Sequence, residues 1–169
     1  EFDATDDLIA LDSSVTAGTD STLSIWIKRG DLAEDAYLWG EDDNAYNYVM
    51  WIAGGSSADV VIQFGTPYAV FAHADVRTAL YTTNWLHIVL TRAGDDCILY
   101  VNGVLKDTLT QGDFSVATAV DTIANNPDGT KPFGGIIDEA GIWESTLDAD
   151  NVTAIYNGGY PTALDEDSG

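Results

Sequence analysis

The sequence predicts an all-β fold, a two-sheet antiparallel sandwich or jelly roll with one short C-terminal helix. Three observations lead there. Nearly every apolar segment is short, rich in Val, Ile, Trp, Tyr and Thr, and bounded by Gly, Asn or Asp. Within "WLHIVLTR", Trp85, His87, Val89 and Thr91 share one face while Leu86, Ile88, Leu90 and Arg92 share the other, the two-residue period of a strand. Asn102-Gly103 then separates two such segments, and Asn-Gly is the strongest short-range hairpin signal because both central residues take positive φ.

Taken in order, the predicted strands are "LIAL", "TLSIWIKR", "YLWG", "NYVMWIAG", "DVVIQFG", "VRTALY", "WLHIVLTR", "CILYVNG", "VLKDTLT", "VDTIAN" and "GIIDEAGIW". The turn "AGDD" joins the seventh to the eighth and Asn-Gly the eighth to the ninth, so these three form a meander. Only "STLDADNVTAIYNGGYP" reads as helix. Leu147, Val152, Ile155 and Tyr156 fall at helical spacing, Ser145 and Asp148 form a capping pair, and Gly158-Gly159 before Pro161 stops it.

A chain of 169 residues suits one domain. We place it at residues 1–163 and read 164–169 as an acidic tail. The apolar fraction of 46%, with five Trp, eight Tyr and five Phe, supplies a packed core despite the charge. Six Lys and Arg against 28 Asp and Glu give a net charge of -22, which excludes nucleic acid and anionic membrane surfaces as partners. No segment is apolar for the roughly eighteen residues a membrane span needs. Such acidity fits a saline or calcium-rich, extracellular setting. Cys97 is alone, so no intrachain disulfide forms and a buried thiol is expected.

The segments "FDATDDLIAL", "TLSIWIKR", "WLHIVLTR", "LYVNGVL", "FGGIIDEAGIW" and "LDADNVTAIYNGG", in that order, resemble the laminin-G-like jelly rolls of the concanavalin A-like lectin and glucanase superfamily, which includes the pentraxins. The resemblance covers nearly the whole chain. It implies two curved antiparallel sheets and, in most branches, a lectin-like, carbohydrate-binding or protein-binding role that often uses calcium. It also implies a metal-binding loop pair. Asp43 and Asn44 in "GEDDNAYN" match the pentraxin Asp-Asn pair, and Asn126 and Asp128 in "ANNPDGTKP" fall at acidic positions of the second loop. Asn126 and Pro127 depart from the family's acid and amide there, which implies fewer ligand charges. The same residue types are also turn formers, and that reading stays open.

Two adjacent acids, Asp138 and Glu139, interrupt the last strand. Alternation sends them to opposite faces unless a bulge intervenes, so they are a poor pair for glycoside hydrolysis, which needs two carboxylates on one surface. The resemblance gives Asp138 a structural calcium or an edge hydrogen-bond network beside the N-terminal strand, with Asp3 as neighbour. Glu139 then faces solvent or pairs with a base such as Arg92. His73 and His87 have no Ser or Cys with an acid at a motif spacing, and His87 reads as structural. Tyr46, Tyr48, Tyr68 and Phe71 lie beside the acidic loops as a platform on which sugar rings stack, while Trp26, Trp51, Trp85 and Trp143 read as core.

The sequence therefore points to a non-catalytic, calcium-assisted module that binds a glycan or surface polysaccharide within an extracellular, cell-surface or virion protein. The alternatives are a structural or decoration domain contacting protein in a larger assembly, and a glycoside hydrolase with displaced carboxylates.

Overall fold

The computed structural model describes residues 1–41, 49–55, 58–63, 68–110, 117–125, 129 and 132–161. In chain order the strands are β1 (Phe2–Asp3), β2 (Ile9–Ala17), β3 (Asp20–Arg29), β4 (Ala36–Gly40), β5 (Met50–Ile52), β6 (Val60–Gln63), β7 (Tyr68–Phe71), β8 (Leu86–Ala93), β9 (Asp96–Val101), β10 (Val104–Thr110), β11 (Thr118–Ile123) and β12 (Gly134–Trp143). They form two antiparallel sheets of six strands. Sheet A has the order β1-β12-β3-β8-β9-β10 and sheet B the order β2-β11-β4-β5-β6-β7.

Alternation decides what each strand buries. Leu23, Ile25 and Ile27 of β3 and Leu86, Ile88 and Leu90 of β8 point inward, into one cluster with Leu38, Met50, Ile52, Val60, Ile62 and Phe71 of sheet B. Each such side chain contributes about 1.5–3 kcal/mol by leaving water, so this inter-sheet layer dominates stability. The lone thiol of Cys97 belongs to it, and burial pushes its pKa up to about 12.

The predicted helix forms as α2 (Ala149–Tyr156) and lies on the outer face of sheet A, where Val152 and Ile155 pack on Val89, Ile98 and Tyr100. Its cap differs from the expected Ser145–Asp148 pair. Asp148 alone is the N-cap and accepts from the Asn151 N–H at 2.9 Å, while Asn157 closes the helix at φ 47°. The Thr22 hydroxyl explains the late start. It donates to the Ser145 carbonyl and accepts from the Leu147 N–H, both at 2.9 Å, which holds 145–147 against β3.

Two expectations change. "VRTALY" is not a strand, because Ala74–Leu80 forms helix α1. His73 caps it by accepting from the Asp75 N–H, Val76 and Leu80 bury at a spacing of four, and Arg77 clasps Asp59 at 2.6 and 3.2 Å. Good helix formers at Ala74, Arg77, Ala79 and Leu80 favour the same outcome. "LIAL" extends into the nine-residue β2, whose residues are mostly exposed because it is the edge of sheet B and needs no apolar alternation.

The Asn102–Gly103 turn forms as expected, with φ of 53° and 72°. Gly103 also receives α2, since a Cβ there would sit 2.8 Å from the Tyr156 ring. Gly103→Ala is therefore expected to destabilise the protein by about 1–3 kcal/mol. Urea unfolding checks it, and a variant indistinguishable from wild type would contradict the docking geometry.

Candidate functional site

The outer face of sheet B is assembled from the residues that alternation excludes from the core. Ala36, Leu38, Met50, Ile52, Val60, Ile62, Ala69 and Phe71 point inward. The register then lines up the residues between them, pairing Tyr37 with Trp51, Trp51 with Val61, and Val61 with Val70. At about 4.8 Å per strand this row runs for about 14 Å across four strands. The Tyr37 and Trp51 rings stack at 5.6 Å and 6°, which fixes the indole's orientation. Tyr37 is nearly covered, whereas Trp51 and Val70 are half-buried and present surface. Two residues further along the same face, Gln63 pairs with Tyr68, which is 62% exposed.

Of the expected aromatic platform, Tyr68 is on this surface and Phe71 is not. Phe71 is fully buried in the inter-sheet core. The reason is parity, since residues three apart on one strand point to opposite faces. Trp51 corrects the expectation in the other direction, because Met50 and Ile52 take the core positions and leave its ring outside. Trp39 is core because a register shift between Tyr37 and Trp39 turns it inward. Tyr46, Tyr48, Asp43, Asn44, Asn126 and Asp128 lie outside the described residues.

The structure separates Asp3 from Asp138. Asp3 pairs with Gly134 of β12, four positions before Asp138, which is about 13 Å along a strand. Asp3 instead meets Asp6 and Asp7, their carboxylate oxygens lying within 4.8 Å of one another. The turn is held by the Asp3 N–H on Asp7 Oδ2 and the Thr5 N–H on Asp3 Oδ1, both at 2.8 Å. Asn125, just after β11, anchors it by donating to the Asp7 carbonyl at 3.2 Å. The other carboxylate oxygens of this trio are hard donors of the kind that calcium takes.

Asp138 and Glu139 sit in a β-bulge, so simple alternation does not apply. The pairing with β3 shifts between Asp138 and Gly141, Glu139 has φ 44°, and its N–H donates to Asp138 Oδ1 at 3.0 Å. β1 pairs with β12 only at Gly134 and Gly135, so the bulge lies where β12 becomes an edge. Charged residues and bulges at an edge discourage pairing with a foreign strand. Arg92 is buried and donates to the Gly18 and Gly94 carbonyls.

His87 is sealed rather than poised for chemistry. Its Nε2 lies 2.8 Å from Ser24 Oγ, its ring stacks on Trp26 at 4.8 Å and lies 5.8 Å from Tyr156, and its buried Nδ1 has no partner. Burial pushes its pKa from the ordinary 6.5 down to about 4.

Two facing six-stranded antiparallel sheets define a β-sandwich. The family model Laminin_G_3, described as the concanavalin A-like lectin/glucanases superfamily, matches residues 3–153, and the chain belongs to that family. Solved structures share the fold. A native heptameric SAP-like pentraxin from Limulus polyphemus superposes with TM-score 0.70 at 12% identity, over 92% of this chain and 79% of that one. Domain 4 of AbnA, a GH43 extracellular arabinanase from Geobacillus stearothermophilus in complex with arabinotriose, gives 0.62 at 22% identity over 86% and 68%. The Ruminococcus gnavus IT-sialidase CBM40 bound to alpha2,3 sialyllactose gives 0.60 at 16% over 89% and 96%. No curated protein matches the chain. Among the described residues, no helix is long and apolar enough to cross a membrane.

Proposed function

We propose that this chain is a non-catalytic carbohydrate-binding module of an extracellular or surface protein, with the outer face of sheet B as its glycan site. The observation that carries the reading is the Tyr37–Trp51 stack, which holds a half-buried indole on the outside of a sheet whose inward positions are already filled. Sugar rings pack their C–H faces on such rings while neighbouring polar groups take the hydroxyls. Two of the similar structures, the arabinanase domain and the sialidase module, carry a bound oligosaccharide. A non-catalytic role accords with His87 enclosed by aromatic rings and with Asp138 and Glu139 committed to an edge bulge.

Calcium assists in this reading, held by Asp3, Asp6 and Asp7 and by the loops at 40–48 and 124–132. Bound there, it would tie the N-terminal turn to the end of β11 through Asn125 and neutralise part of the acidic surface.

A glycan array with calcium present, repeated on Trp51→Ala, tests the site. One hot-spot aromatic is worth about 2 kcal/mol or more, so affinity for any glycan bound is expected to fall about 30-fold. Chelation is expected to lower the melting temperature of wild type, and to lower it less in an Asp3→Asn/Asp7→Asn variant. Binding to no glycan would leave a protein-contacting role for the domain.

A further inference from the structure

We propose that the outer face of sheet B selects uncharged glycans and rejects those carrying carboxylate, sulfate or sialic acid groups. The proposal rests on the reading of that face as the glycan site and names the class of glycan it takes.

The argument is an account of the cations. The chain has six Lys and Arg residues in all. Lys28 and Arg29 are on β3, Arg92 on β8 and Lys106 on β10, all in sheet A, and Arg77 is on α1. Arg29 and Arg92 are buried and turned onto backbone carbonyls, Arg29 on that of Glu34 at 2.7 Å and Arg92 on those of Gly18 and Gly94. Arg77 is engaged by both oxygens of Asp59. Lys131 lies outside the described residues. The six strands of sheet B contain no Lys or Arg, while they carry Asp12 and Asp121 and lead into Glu41.

An anionic sugar seated on Trp51 would give up hydration with no Lys or Arg on the strands beneath it to replace it. It would also approach against the field of a chain with net charge -22. A neutral sugar meets neither cost. The exposed Tyr68 phenol beside this row is uncharged and suited to a hydroxyl, and its paired residue on β6, Gln63, is buried.

Affinity gel electrophoresis tests this with linear arabinan, mannan, β-1,3-glucan and dextran, each beside its carboxymethylated or sulfated derivative of matched length. The gels are run with chelator and with calcium, at low and high sodium chloride, on wild type and Trp51→Ala. Wild type is expected to be retarded by at least one neutral polymer and about tenfold less by the charged derivative at low salt, with the gap narrowing as salt screens the field. Trp51→Ala is expected to lose the retardation. A charged derivative that binds as tightly as its neutral parent, with or without calcium, overturns the selectivity and leaves the glycan reading standing. Retardation that survives Trp51→Ala moves the site off this face and overturns the proposal. Retardation by no polymer overturns both the selectivity and the function beneath it.

Discussion

Gly135→Ala is expected to cost more than about 4 kcal/mol, enough to remove most of the stability of an ordinary domain. Gly135 has φ 146°, a backbone region that residues with a side chain avoid, and it is flanked in sheet A by Phe2 of β1 and Arg29 of β3. An added Cβ would lie 2.1 Å from the Lys28 carbonyl oxygen, 3.0 Å from the Phe133 ring and 3.1 Å from the Arg29 Cα. Two of those three are backbone atoms of β3, so the clash is relieved only by parting β12 from its partner. Gly30→Ala is the matched control, because a Cβ there makes only an ordinary contact at 3.5 Å with the Gly134 carbonyl. Urea unfolding and soluble yield compare the two. A Gly135→Ala protein within about 1 kcal/mol of wild type would show that the close approach of β12 and β3 is wrong.

Acid is expected to weaken the protein through one imidazole. His87 must gain a charge inside a closed stack, and its pKa of about 4 in the fold lies below the ordinary 6.5 it regains on unfolding. The unfolded chain therefore binds the extra proton across this interval. The stabilisation from neutral His87 is complete above pH 6.5 and is lost as pH falls toward 4, a total of about 3 kcal/mol. The geometry gives the cause. With its proton on Nε2, the neutral ring leaves only a lone pair uncapped at Nδ1, whereas the imidazolium places an N–H there with no acceptor. Protonation of carboxylates acts in the opposite direction over the same range, since it relieves the self-repulsion of a chain at -22. The two are separated by subtracting the urea-denaturation stability of His87→Gln, which keeps polar partners for Ser24 but does not titrate. Wild type is expected to lose about 3 kcal/mol more than the variant between pH 7 and 4. Parallel curves would remove His87 as the acid-sensitive element.

Much of the sandwich was legible in the chain because its signals are local. Strand alternation in "WLHIVLTR", the Asn102–Gly103 turn and the spacing of Val152, Ile155 and Tyr156 each depend on residues a few positions apart, and each formed as read. Helix α1 departs from the strand expected there, although its signal is also local. Val76 and Leu80 repeat at four, but the segment is only seven residues long and sits among strands. Tyr68 and Phe71 lie near one loop in the sequence, but their separation of three places them on opposite faces.

The candidate site divides along the same line. The residue types were visible in the sequence: aromatics beside acidic loops, a surplus of carboxylates, and almost no cations. Tertiary structure decided which of them meet. The family resemblance implies Asp3 beside Asp138, but pairing of β1 with Gly134 and Gly135 ends too soon, and the turn back to Asp7 brings Asp6 and Asp7 to it instead. Trp51 lies on the outer face because the core had already taken Met50 and Ile52, and Glu139 leaves the strand pattern because a bulge shifts β12 against β3. Periodicity is a property of neighbours along the chain and can be read there, whereas register between distant strands is chosen by the burial of a shared core that no single segment contains.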